Sequence, residues 1–164
     1  VNNAGVGQVV PVALMEEEDW DRVMDTHVKG AFLSSQAVMR GMIKQKYGRI
    51  LNIGSLAGVK MMQAPVHYST AKAALKGFTE SLAKEIGRYG VTVNCISPGP
   101  FLTELPLGLL NDEQKLEFTN RTAVKRWGKP EEIAGVALLL GTDAGSYITG
   151  TTVLIDGGVL ANVL

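Results

Sequence analysis

A chain of 164 residues, 46% apolar and 20% charged, has the length and composition of one ordinary globular domain with a buried core. Its 16 Lys and Arg balance its 16 Asp and Glu, and no long basic run breaks that balance, so no nucleic-acid or anionic-membrane surface is predicted. The longest apolar run, residues 136–140, falls far short of the roughly 20 residues that span a bilayer, so no membrane segment is predicted either.

In chain order, residues 1–5 read as the end of a strand followed by a polar turn. Glu16, Glu17, Glu18 and Asp19 then put negative charge in the first turn of a helix, where the helix dipole favours it. Trp20, Val23, Met24, Val28, Phe32 and Leu33 recur at intervals of three and four, and the pattern continues to about Lys46, with Gly48 as the stop. Residues 49–54 lack polar alternation, as expected of a parallel strand covered on both faces. They deliver Ser55 at the carboxyl end, where ligands bind in open α/β sheets. The loop from Val59 to Val66 brings Met61, Met62, Gln63 and Pro65 to the rim of a substrate pocket, the methionines as an adaptable apolar wall.

A second long helix is predicted from Tyr68 to Tyr89, with Ala71, Ala74, Leu75, Phe78, Leu82 and Ile86 on one face. Residues 91–97 form another buried strand. It carries Cys95, the only cysteine, as a buried thiol; one cysteine makes no internal disulfide and favours a reducing, cytoplasmic location. With only His27 and His67 beside it, no metal-ligand cluster is predicted. Pro98, Gly99 and Pro100 break the chain at the strand's carboxyl end. One or two short helices follow between Leu105 and Arg126, another helix starts near Pro130 and runs to about Leu140, residues 151–155 are the last strand, and Asp156-Gly157-Gly158 is a turn. This alternation of helix and strand predicts an α/β domain with a parallel sheet.

Tyr68 and Lys72 stand four residues apart, and so share one helix face. An ammonium beside a phenol favours the phenolate and lowers a pKa that is otherwise about 10. A tyrosine tuned in this way can exchange a proton with an alcohol or a carbonyl near neutral pH. Ser55 can donate a hydrogen bond to the same oxygen, and His67, next to Tyr68, is a candidate substrate contact. A Tyr-x-x-x-Lys pair is common on helices, so its weight comes from its surroundings.

Those surroundings are Asn2-Asn3-Ala4-Gly5, Ser55, Tyr68-Ser69-Thr70-Ala71-Lys72, Asn94, Ser97-Pro98-Gly99 with Thr103, and Ile155-Asp156-Gly157-Gly158. In this order, and with this interval between Ser55 and Tyr68, they resemble the short-chain dehydrogenase/reductase family from Val1 to about Leu160. The resemblance implies the C-terminal two-thirds of a doubly wound, parallel-sheet Rossmann-type domain, with residues 1–164 as a single, N-terminally truncated unit. It implies an NAD(P)-dependent oxidoreductase that interconverts a secondary alcohol and a carbonyl. Ser55, Tyr68 and Lys72 would be its catalytic group. Asn3, Ala4, Gly5, Tyr68, Lys72, Pro98, Gly99, Phe101 and Thr103 would line the NAD or NADP site.

The family's asparagine in Asn-Val-x-Gly, part of a proton relay, is replaced by His27, whose ring can also donate and accept. The family further implies a homotetramer or homodimer through the helices at 27–46 and 68–89, and a small-molecule substrate under a mobile cover at 105–126. The family members most similar in style are 3-oxoacyl-carrier-protein reductases and gluconate or glucose dehydrogenases, and the wording leans slightly towards the second group. No Gly-x-x-x-Gly-x-Gly turn for the pyrophosphate occurs in the sequence. The chain is therefore expected to be a fragment of a longer reading frame, inactive alone and binding neither cofactor tightly. The alternative is a non-catalytic binding or assembly protein on the same scaffold.

Overall fold

Strands β1 (Gly48–Ile53), β2 (Val91–Pro98) and β3 (Thr152–Ile155) run parallel in the order β1-β2-β3. Gly48 to Ile53 face Val91 to Ile96, and Cys95 to Pro98 face Thr152 to Ile155. On the other edge of β1, Asn2 makes a parallel bridge to Asn52, donating to Leu51 O and accepting from Ile53 N. The computed structural model describes residues 1–60 and 64–161, so the expectations for Met61, Met62 and Gln63 lie outside the described residues.

Successive strand residues feed opposite faces, which is why these strands read as unbroken apolar runs. Ile50, Val91 and Val93 pack with Leu82, Ala83 and Ile86 of helix α3 (Val66–Ile86) and with Met39 and Met42 of α2 (Gly30–Gln45). Leu51 and Ile96 turn the other way, against Leu140 and Ile133 of α6 (Glu131–Gly141). The result is an α/β/α sandwich. Helices α4 (Glu104–Leu109) and α5 (Asp112–Arg121) lie between β2 and α6 in sequence. Among the described residues, no helix is long and apolar enough to cross a membrane, and no group of three His, Cys, Asp or Glu could hold a metal.

Three local features differ from the sequence expectation. The first long helix is divided: α1 (Glu17–Met24) passes through a wider π turn at Asp25–Lys29 before α2 begins. Its stop is Lys46, not Gly48. Lys46 adopts a left-handed φ of 54° and its N–H bonds to Ile43 O, whereas Gly48 already belongs to β1. Helix α3 starts at Val66, two residues earlier than the sequence suggested, with Pro65 at its N-cap. Gly90, at φ 75°, sits so close to Lys46 that a β-carbon would lie 2.3 Å from its carbonyl oxygen. The two helix ends before β1 and β2 are thereby packed together.

A buried polar chain ties the layers. Asn2 Nδ2 donates to Ser35 Oγ of α2 (3.2 Å) and to Asn52 Oδ1 of β1 (2.8 Å). Asn52 Nδ2 donates to Thr79 Oγ1 of α3 (2.9 Å), which donates to Leu75 O (2.7 Å). Each buried polar group here has a partner, and the cost of losing one is the full desolvation of the other. Asn52→Leu is expected to destabilise the protein by about 2–3 kcal/mol in urea unfolding, through the orphaned Asn2 and Thr79 groups. A change under about 0.5 kcal/mol would show the chain to be dispensable.

Candidate functional site

Ser55 leaves the end of β1 with extended backbone and caps the short turn Leu56–Gly58, its Oγ accepting from Ala57 N at 3.2 Å. That turn rests directly on α3: a β-carbon on Gly58 would be 2.4 Å from the carbonyl carbon of Lys72. The close approach brings the Ser55 hydroxyl beside the Tyr68 phenol, near enough to favour its ionised form. Lys72 is buried, and its Nζ donates to Ile53 O, at the end of β1, at 2.7 Å. Nζ stands 5.6 Å from the centre of the Tyr68 ring. The three side chains expected from sequence to act together therefore do meet, at the carboxyl ends of the strands.

Their electrostatics depart from the expectation. Burial pushes the Tyr68 phenol above its ordinary value, and the Ser55 hydrogen bond only partly opposes this. Burial also lowers Lys72 to about 8, against a weaker upward pull from Cys95. The expected lowering of Tyr68 by the ammonium is not seen in this state: burial of the phenol dominates its shift, and Nζ is directed to the Ile53 carbonyl.

His27 lies in the π turn, buried, with its ring edge-on to Tyr68 at 5.5 Å. Its Nε2 is 2.8 Å from Val6 O and 3.2 Å from Val6 N. These contacts exclude one another: the carbonyl needs a protonated Nε2, the amide a bare one. Nδ1 is buried without a partner among the described residues. Burial first, then the Lys72 charge, hold the imidazole below its usual pKa. Gly5 is packed against this ring, since a β-carbon there would meet His27 Cε1 at 2.9 Å. A cavity of about 110 Å³, roomy enough for water, is bounded by Asn3, Ala4, Thr26, His27, Gly30 and Ser34 among others.

The remaining expected residues divide. Asn3, Ala4 and Gly5 are exposed beside the carboxyl end of β1. Pro98 ends β2. Gly99 N donates to Ile155 O at 2.9 Å, and a β-carbon on Gly99 would be 2.8 Å from Asp156 Cα. Thr103 is exposed at the start of α4 and its hydroxyl makes no cap bond. Phe101 is buried, with its ring on Gly128 through a parallel bridge, so the ring itself is committed to packing. His67 is not a pocket residue: it is fully buried, with Asp19 and Arg22 of α1 as the charges acting on it, and its two ring nitrogens lack partners among the described residues. Sequence reasoning missed Gly58, Val6 and Gly128, whose importance lies in what they touch across the fold.

Residues 1–160 match the family described as enoyl-(acyl carrier protein) reductase. Over 161 residues the chain is 44% identical to a 3-oxoacyl-[acyl-carrier-protein] reductase of Synechocystis, covering 98% of this chain and 64% of that protein. A gluconate 5-dehydrogenase of Burkholderia cenocepacia, solved in complex with NADP and tartrate, matches with a TM-score of 0.94 at 32% identity, over 99% of this chain and 64% of that one. A 3-oxoacyl-[acyl-carrier protein] reductase of Brucella melitensis with bound NAD matches with a TM-score of 0.89 at 35% identity, over 96% and 60%. The chain thus spans less than two thirds of the length of these relatives.

The buried Lys72 has a consequence for stability. Its pKa is about 8 when folded against 10.5 ordinarily, so between those values the unfolded chain binds more protons and stability should rise with pH. Below about pH 8 the cost of the buried charge is present in full. Lys72→Met removes it but orphans the Ile53 carbonyl, for a net gain of about 1–2 kcal/mol at pH 7 in urea unfolding. The rise between pH 8 and 10 should disappear in the same variant. A less stable Lys72→Met would mean that the ammonium is a net stabiliser.

Proposed function

The chain belongs to the short-chain dehydrogenase/reductase family, and we propose that it forms the catalytic part of an enzyme that transfers a hydride between a nicotinamide cofactor and a carbonyl or secondary alcohol. The observation that carries this reading is the convergence of Ser55, the Tyr68 phenol and the buried Lys72 ammonium at the carboxyl end of β1.

In this reading Tyr68 donates its proton to the carbonyl oxygen in reduction and recovers it in oxidation. Burial keeps the phenol neutral at rest, the form required of an acid. Ser55 donates to the same oxygen and fixes its position. Lys72, still largely protonated at pH 7, stabilises the phenolate as it forms, an interaction that grows only as the reaction proceeds. When bound, NAD or NADP supplies or accepts the hydride.

The residues present suit the nicotinamide end of such a cofactor. The Lys72 ammonium has three donors and spends one on Ile53 O, leaving two for ribose hydroxyls. Asn3, Ala4, Gly5, Pro98, Gly99 and Thr103 surround the same carboxyl end of the sheet. The contribution of Phe101 would come from its main chain. Residues 1–164 act here as one α/β domain. His27, with its unpartnered Nδ1 among the residues bounding the cavity, would return protons to Lys72 through water. Half-exposed Phe32, Leu33 and Val38 on α2, with Val66 on α3, support a homodimer or homotetramer through these helices.

The assay is NAD(P)H oxidation with a 3-oxoacyl thioester, or NAD(P) reduction with gluconate, in the full-length enzyme. Tyr68→Phe is expected to lower kcat by about 10³-fold, within the range for lost general acid catalysis, with cofactor Kd changed less than about threefold. Retention of most of the rate by this variant would defeat the assignment.

A further inference from the structure

We infer that Gly7 is a positioning residue of this site, the seat on which helix α4 closes as a lid. The inference rests on the oxidoreductase reading for what the lid encloses, and on packing for the contact itself. A β-carbon built on Gly7 would lie 3.0 Å from Leu109 Cδ1 and 3.2 Å from Leu105 Cδ1. Leu105 and Leu109 are one turn apart on α4, so their two tips straddle the bare Cα.

The lid is fixed at both ends and weak in the middle. Before it, Leu102 N donates to Gly128 O and Phe101 is locked into its bridge with Gly128. After it, Asn111 and Gln114 close a reciprocal cap on α5, and Trp127 Nε1 holds α5 through Lys115 O at 3.2 Å. Between these anchors α4 has only six residues and contains Gly108, a poor helix former. Its leucines 105, 107 and 109 remain about 40% exposed, so little burial holds it down.

The seat is also tied to the reacting group. Val6, next to Gly7, is held by His27 Nε2, and the His27 ring stands against Tyr68. The height at which α4 rests is therefore set relative to the tyrosine. A closed lid excludes water and captures substrate. The leucine tips can yield the few tenths of an ångström that an alanine needs, whereas the branched carbons of valine would hold α4 away.

Two measurements decide the matter. In amide hydrogen exchange, Gly7→Val is expected to speed exchange at Leu107 and Leu110, whose N–H groups bond to Thr103 O and Pro106 O, by about tenfold. Gly7→Ala should give a smaller increase. In a Leu105→Ala/Leu109→Ala background Gly7→Val should add nothing. No acceleration in the parent, or an equal acceleration in both backgrounds, overturns the seat.

In the full-length enzyme, Gly7→Val should raise KM for a 3-oxoacyl thioester or gluconate about tenfold while NAD(P)H Kd stays within about twofold. An unchanged KM would remove the site role. If no substrate of either class turns over in the parent enzyme, the oxidoreductase reading fails, while the exchange experiment still decides the lid contact.

Discussion

A lysine ammonium buried at the end of a strand sets the terms for this site. Lys72 reaches across from α3 to the Ile53 carbonyl, and the contact is possible only because α3 lies nearly on the β1 end. Gly58 permits that approach, since any side chain there would collide with the Lys72 main chain. One hydrogen bond does not repay the desolvation of an ammonium, and burial accordingly holds Lys72 down at about 8. The energy comes from the sheet and its two apolar faces. A protein that burdens its fold in this way keeps the charge for a state in which it is better matched.

Under the proposed function that state is the phenolate of Tyr68. Two opposing effects act on the phenol. The Ser55 hydroxyl beside it favours the phenolate. Burial works in the other direction, and in the structure as it stands burial prevails. The balance is useful. A phenol already ionised at rest could not protonate a carbonyl, and one without a nearby cation could not release its proton. In the proposed reaction hydroxyl, ammonium and serine are in place before the proton moves, which is the condition under which electrostatic stabilisation favours the transition state over the resting one.

The elements of the fold were largely legible because each carries its own pattern. Residues 49–54 and 91–97 read as buried strands, and they are covered on both faces. Ser55, Tyr68 and Lys72 were legible as a group from spacing and strand-end position. What escaped the sequence depends on contacts between distant residues. The π turn at 25–29 belongs to the region where His27 leans on Val6. Lys46 ends its helix in a left-handed conformation usually given to glycine, under the constraint of Gly90 packed beside it. The direction of the Tyr68 shift was unreadable because spacing gives the distance to Lys72 but says nothing of burial. His67 looked available by its place beside Tyr68, yet the next helix position points some 100° away, here toward α1.

The turn at Asp156 shows how a recognisable motif can serve a site without entering it. Both carboxylate oxygens are used within the turn, accepting from Gly158 N and Leu160 N at 2.9 Å each. Gly157 and Gly158 adopt positive φ, and Gly157 O accepts from Ala123 N and Val124 N just beyond α5. Gly99 meanwhile lies so close to Asp156 that no side chain fits between them. The turn therefore clamps the chain after β2 to the chain after α5. Those are the two ends of the segment that carries Thr103, α4 and α5. The placement of the segment carrying α4 and α5 is thus fixed from β3, a strand outside the proposed catalytic group. In the proposed enzyme, Asp156 and its two glycines would act on the site by holding the frame of its lid.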